Sequence, residues 1–135
     1  MATNLTIGFL GAGKMATALA RGFIHAELVG PKDMVAADPI AAARNHFADE
    51  IGISPVASNL AVVKAAGVLI LAVKPDQCPG VLAELSNTFT NRHLLISIAA
   101  GVTLAKLEGA LPAAMEMSRW RFVNVLLNSA KTPGH

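Results

Sequence analysis

Leu5-Thr6-Ile7-Gly8-Phe9-Leu10-Gly11-Ala12-Gly13-Lys14-Met15-Ala16 is the stretch that decides the fold. Its first six residues read as a buried strand, and the glycines follow at once. Apolar Met15, Leu19, Phe23, Ile24 and Ala26 then recur at helical spacing over residues 15–28, until Gly30-Pro31 stops the helix. A pattern G-x-G-x-x-A is weak alone and informative when it leaves a strand and opens a helix. Each position then has a task. Gly11 permits a tight turn, Gly13 lets backbone approach a pyrophosphate, and Ala16 is small enough for the helix to pack on the strands. The unpaired N–H groups at the helix start, around Lys14 and Met15, meet the phosphates. The plain alternative is a strand-to-helix turn whose glycines fall there by chance.

Outward from this loop the same alternation repeats. Met34-Val35-Ala36-Ala37 reads as a second strand ending at Asp38-Pro39, and residues 41–50 as an alanine-rich helix closed by Gly52. Ile53-Ser54-Pro55-Val56 reads as a short extended segment, and Ser58 or Asn59 caps a brief helix through Ala65. Residues 68–73 form the clearest strand, ended by Pro75, with Asp76 as cap of a helix to about Leu85. A polar loop over residues 87–93 leads to a strand at 94–98, and Thr103 caps a helix that Pro112 ends. Strands of about five residues alternating with helices of about ten imply crossover units. The expected class is α/β: a Rossmann-type, doubly wound, mainly parallel sheet with helices on both faces.

Composition agrees. The 135 residues suit one domain, expected over residues 1–127, with 128–135 as a frayed, disordered tail. Hydrophobic residues make up 53% and charged residues 15%, below the usual quarter or so. Strands covered on both faces produce this bias, and so does a surface that a partner covers. Eleven Lys and Arg against nine Asp and Glu are dispersed, which excludes a basic nucleic-acid footprint. Arg119 and Arg121, beside Trp120, read as a solvated strand edge rather than an RNA platform. The one cysteine, Cys78, excludes an internal disulfide and fits a reducing compartment. No basic leader precedes the first apolar run, and no run is long enough to span a membrane. A cytoplasmic protein without nucleic-acid or membrane partners is expected.

Ligands of such sheets sit beyond the carboxyl ends of the strands. Three ends matter here. Asp38 ends the second strand; it would take a ribose 2′-hydroxyl and favour NAD, or it caps the helix from Ala41. Arg44 would reach a 2′-phosphate if Asp38 turns away, so the coenzyme is NAD or NADP. Ala72-Val73-Lys74-Pro75 and Ser97-Ile98-Ala99-Ala100-Gly101 combine small residues with strand ends that can line the nicotinamide. Lys74 is the one cation directly at a central strand end, or else a solvated lysine before a helix. Asn59 is a ribose-side contact or a plain cap. His25, His46 and His93 lack metal-site spacing, so no metal is expected. Cys78 as a catalytic thiol is the weakest candidate.

Ile7 to Gly22, Leu71-Ala72-Val73-Lys74-Pro75 and Ser97-Ile98-Ala99-Ala100-Gly101-Val102-Thr103 together resemble the pyrroline-5-carboxylate reductases, in order and at matching spacing. The resemblance implies reduction of 1-pyrroline-5-carboxylate, an imine, to L-proline by hydride transfer from NADPH or NADH. It implies coenzyme contacts at Gly11, Ala12, Gly13, Lys14, Met15 and Ala16, at Asn59, at Ala72, Val73, Lys74 and Pro75, and at Ala99, Ala100 and Gly101. It assigns Asp38 to the ribose. The catalytic residue stays unassigned.

The resemblance covers about residues 4–112. The family continues with a strand and a Met-Pro-Asn-Thr-Pro loop, whereas Met115-Glu116-Met117-Ser118-Arg119-Trp120-Arg121-Phe122-Val123-Asn124 lacks that loop while remaining able to form a strand. The family's C-terminal helical domain, which makes the homo-oligomer and much of the substrate pocket, has no counterpart in these residues. Three readings follow: a shortened reductase with weak activity alone, a non-catalytic nucleotide-binding or interaction module, and a half-domain whose sheet edge expects a missing partner.

Overall fold

The computed structural model describes residues 5–85, 87–88 and 93–97, and for 121–124 the backbone. The expected helix from Thr103, the segment Ile98 to Gly101, Arg119, Trp120 and the tail 128–135 lie outside the described residues. Five strands form one sheet: β1 (Ile7–Leu10), β2 (Met34–Ala37), β3 (Val68–Leu71), β4 (Leu94–Ser97) and β5 (Arg121–Asn124). Their order is β2-β1-β3-β4-β5, and every pairing is parallel. Among the described residues four helices connect or cover them: α1 (Lys14–His25), α2 (Ala41–Ile51), α3 (Asn59–Ala65) and α4 (Cys78–Leu85). The fold is the doubly wound Rossmann type read from the sequence. The segment after α2 contributes one bridge, Val56 to Ala37, on the outer side of β2, where a full strand would otherwise sit.

Continuous apolar runs build both faces. Side chains alternate across a strand. Ile7, Phe9, Met34, Ala36 and Ile70 therefore meet Ala16, Ala20, Phe47 and Ile51 from α1 and α2. Leu10, Ala37, Leu69, Leu71 and Leu95 point the other way, onto Val62 and Val63 of α3, Ala66 just after it, and Leu82 and Leu85 of α4. Phe9 joins sheet to helices, with ring centroids 5.8 Å from Phe47 and 6.3 Å from Phe23. Arg21 of α1 and Glu50 of α2 form an exposed ion pair, worth little beside that packing. At Gly8 a β-carbon would lie 2.5 Å from Val62 Cγ1, so the glycine lets α3 settle directly on β1.

Several boundaries differ from expectation. The buried stripe of α1 is Ala16, Thr17 and Ala20, with Met15 50% exposed and Ala26 outside the helix. Helical periodicity admits either phase; the sheet selects the one that brings small residues to the strands. β1 starts two residues later than read, and β3 stops at Leu71 because Ala72 turns toward the glycine loop. Asp76 does not cap α4. It sits inside a 3-10 turn, Pro75–Gln77, through which the chain enters that helix. Ser58 occupies the N-cap of α3 and Asn59 its first turn.

The C-terminus of α1 carries a local strain. Glu27 N–H donates to Ile24 O at 2.9 Å and Leu28 N–H to Phe23 O at 3.0 Å, the two bonds of a Schellman ending. That ending places Glu27 at φ +62, a conformation that suits glycine. Glu27→Gly is expected to stabilise the chain by about 0.5–1 kcal/mol, the left-handed cost less glycine's entropy. Thermal unfolding followed by circular dichroism checks this as an upward shift of the midpoint.

Candidate functional site

The carboxyl ends of β1, β2 and β3 converge on the glycine loop. The chain leaves β1 to one side through α1 and β2, then returns to the other side at β3. This switch opens a crevice above β1. Three backbone or side-chain bonds hold the loop there. Gly11 N–H donates to Ala37 O at 2.8 Å, and Ala72 N–H donates to Leu10 O at 2.8 Å. Ala12 N–H donates to Asp38 Oδ2 at 2.9 Å.

The two glycines differ in what they do for the fold. Gly11 has φ +107, and a β-carbon on it would lie 2.8 Å from Ala72 O and 2.9 Å from Ala72 C. Its lack of a side chain is dictated by the protein itself. Gly13 precedes α1 with φ −81, and a β-carbon there would meet nothing within 4 Å. No side chain caps α1 at this residue, so no cap side chain takes up the N–H groups of the first turn. Thr17, buried, donates its hydroxyl to Gly13 O at 2.8 Å and steadies the turn from within. Lys14 and Met15 are exposed in that first turn, and Ala16 is buried against the sheet.

Beside the loop runs an open groove of about 430 Å³, lined among others by Gly11, Pro39, Asn59, Val73, Gln77 and Glu84. Gly11, Asn59 and Val73, three of the expected coenzyme contacts, line this groove together. Ala72 is half-buried against the glycine loop, while Lys74 and Pro75 are exposed just beyond. The Lys74 carbonyl accepts from Gln77 N–H at 2.8 Å, which fixes the turn. Gln77, Val81 and Glu84 were not anticipated. Their i, i+4, i+7 spacing directly after the β3 end was the available signal. Ala99, Ala100 and Gly101 lie outside the described residues.

Asp38 makes a bond that neither expectation named, and it does not make the cap. The N-cap of α2 is Ile40, with no side-chain cap bond, so Asp38 does not cap that helix. Its Oδ1 accepts Ile40 N–H at 2.9 Å across Pro39, while Oδ2 holds the glycine loop. Arg44 donates to the Asp38 carbonyl at 2.8 Å, keeping a guanidinium at the end of β2.

The remaining candidates sit away from the groove or inside the core. Cys78 is buried and contacts Lys74 O at 3.7 Å; burial, with the Asp76 charge second, pushes its thiol up to about 11. It is protonated at neutral pH and a poor nucleophile. His93 pairs with Val63 O at 2.9 Å, tying the entry of β4 to α3. His25 and His46 are exposed on helices. Among the described residues no three His, Cys, Asp or Glu gather to hold a metal, and no helix is long and apolar enough to cross a membrane.

The model of the NADP oxidoreductases, coenzyme F420-dependent, matches residues 6–101, from β1 past the end of β4. The chain belongs to that family. It is also similar to curated pyrroline-5-carboxylate reductases. The enzyme of Methanosarcina acetivorans is 40% identical over 129 residues, 96% of this chain and 46% of the relative. Pyrroline-5-carboxylate reductase 3 of Danio rerio is 39% identical over 116 residues, 86% of this chain and 40% of the relative. Among solved structures, the Coxiella burnetii pyrroline-5-carboxylate reductase superposes with a TM-score of 0.77 at 29% identity, covering 90% of this chain and 43% of that one. The Plasmodium falciparum pyrroline carboxylate reductase, solved with NADP bound, gives 0.66 at 28% identity, covering 82% and 39%. The chain thus spans less than half the length of the relatives it matches.

Proposed function

We propose that this chain holds NADPH or NADH as the coenzyme segment of a pyrroline-5-carboxylate reductase, a cytoplasmic enzyme of proline synthesis. The observation that carries the reading is Gly13. Nothing in the fold requires glycine there, while the uncapped start of α1 opens onto the space its missing side chain leaves. A pyrophosphate fits that space and those N–H donors. On this reading Gly11, Ala12, Gly13, Lys14, Met15 and Ala16 surround the pyrophosphate. Asn59 takes the adenosine-ribose side, at one edge of the groove that Val73 also lines. Ala72, Val73, Lys74 and Pro75, with Ala99, Ala100 and Gly101, line the nicotinamide side. The bound coenzyme supplies hydride for the imine carbon; the protein supplies orientation, by backbone donors and closely packed strand ends.

The likeness to the reductases supports the substrate class. The span of less than half their length favours a second reading, a dinucleotide-binding module without turnover. One experiment separates them. The full chain is titrated with NADPH and NADH, and 1-pyrroline-5-carboxylate is then added. Saturable binding followed by imine-dependent loss of reduced-nicotinamide absorbance supports the reductase. Binding without oxidation supports the module, and no binding of either coenzyme refutes both.

A further inference from the structure

We propose that Asp38 is a positioning residue: its carboxylate sets the glycine loop from the end of β2, and this hold, common to either dinucleotide, is its main contribution to coenzyme binding. The inference rests on the coenzyme reading above and adds to it a residue that acts through the loop.

Three observations carry it. First, both carboxylate oxygens hold backbone donors on separate segments, Ala12 N–H at 2.9 Å on Oδ2 and Ile40 N–H at 2.9 Å on Oδ1, with a second lone pair left on each oxygen. Hydrogen bonds to an ionised acceptor are roughly twice as strong as neutral ones, so these are effective ties. Second, the backbone under that carboxylate is itself fixed on both sides. Asp38 N–H donates to Val56 O at 3.0 Å, and Arg44 donates to Asp38 O at 2.8 Å. The carboxylate stands on a braced support. Third, the residue it holds is the one between the two glycines. Ala12 is fully buried, and its N–H points toward β2 rather than into the open space over Gly13. A loop whose turn depends on Gly11 at φ +107 is conformationally permissive and gains definition from an outside anchor. Where Ala12 goes, Gly13 and the first turn of α1 follow.

A direct ribose contact and a loop anchor predict different mutant behaviour. The pyrophosphate is common to NADH and NADPH, and the 2′ position is not. Loss of the anchor therefore weakens both coenzymes alike, whereas loss of a ribose contact changes their ratio. The test compares the full wild-type chain with Asp38→Ala and with the near-isosteric Asp38→Asn, well below their unfolding temperatures. Binding of NADH and of NADPH is measured, together with amide hydrogen exchange at Ala12 and Gly11. Asp38→Ala is expected to lose about tenfold in affinity for each coenzyme, with their ratio held within about twofold. Asp38→Asn, which keeps one acceptor, falls between. Ala12 loses exchange protection while Gly11, bonded to Ala37 O, keeps it.

A shift of the ratio toward NADPH by more than about tenfold would restore the ribose role and overturn the proposal. Unchanged affinity for both coenzymes, or joint loss of protection at Ala12 and Gly11, would also overturn it, the latter by reducing Asp38 to a general structural residue. A wild-type chain that binds neither coenzyme defeats the coenzyme reading and this inference with it.

Discussion

Gly13→Thr is expected to cut the affinity for NADPH and NADH by about 100-fold, roughly 2.7 kcal/mol, with the thermal midpoint nearly unchanged. The two halves of this expectation come from different facts. Threonine is about as good an N-cap as glycine, and Gly13 already has an ordinary extended backbone at φ −81 and ψ −160. A β-carbon there would touch no protein atom within 4 Å. The fold therefore accepts the side chain. The branched side chain then stands in the space where a pyrophosphate would approach the N–H groups of α1. Calorimetric titration and thermal unfolding of the same variant check both halves. A variant that binds normally would show that glycine serves no ligand here.

Gly11→Ala is expected to act in the opposite order, on the fold first. An alanine at φ +107 meets the usual steric cost of left-handed backbone, about 1–2 kcal/mol. Its β-carbon would also press on the Ala72 carbonyl at 2.8 Å, a backbone contact that cannot rotate away. Overpacking of that kind adds about 1–3 kcal/mol. A total of about 2–5 kcal/mol lowers the midpoint by roughly 6–25 °C in a domain of this size. Thermal denaturation of wild type and variant side by side measures it. The contrast between the two glycines separates a residue needed by the chain from one whose space is left for something else.

How much of this was legible in the sequence depends on where the information lies. The strand–glycine–helix succession from Ile7 to Ala16 and the apolar run after Gly67 are local patterns, and the sheet followed from them. The groove was legible at Gly11, Asn59 and Val73 because strand ends are places of known use in such sheets. The tie from Asp38 to the glycine loop was not legible. The carboxylate's two hydrogen bonds reach Ile40, two residues on, and Ala12, 26 residues back. Only the parallel register of β1 and β2, which sets Leu10 beside Ala37, brings the second partner near. The phase of α1 was misread at Met15 for a similar reason: both stripes are apolar, and close helix–sheet packing favours the alanines. Gln77, Val81 and Glu84 escaped notice because a helix face toward a groove resembles any amphipathic surface.

The central claim is that the start of α1 receives a dinucleotide's pyrophosphate. The most direct measurement is the amide chemical-shift map of the full chain as NADPH, and separately NADH, is added. The account predicts saturable shifts that are largest at Gly13, Lys14 and Met15, with smaller ones along the groove at Asn59 and Val73. Amides at Gly13, Lys14 and Met15 that do not respond to either coenzyme, or shifts centred away from this loop, would contradict it.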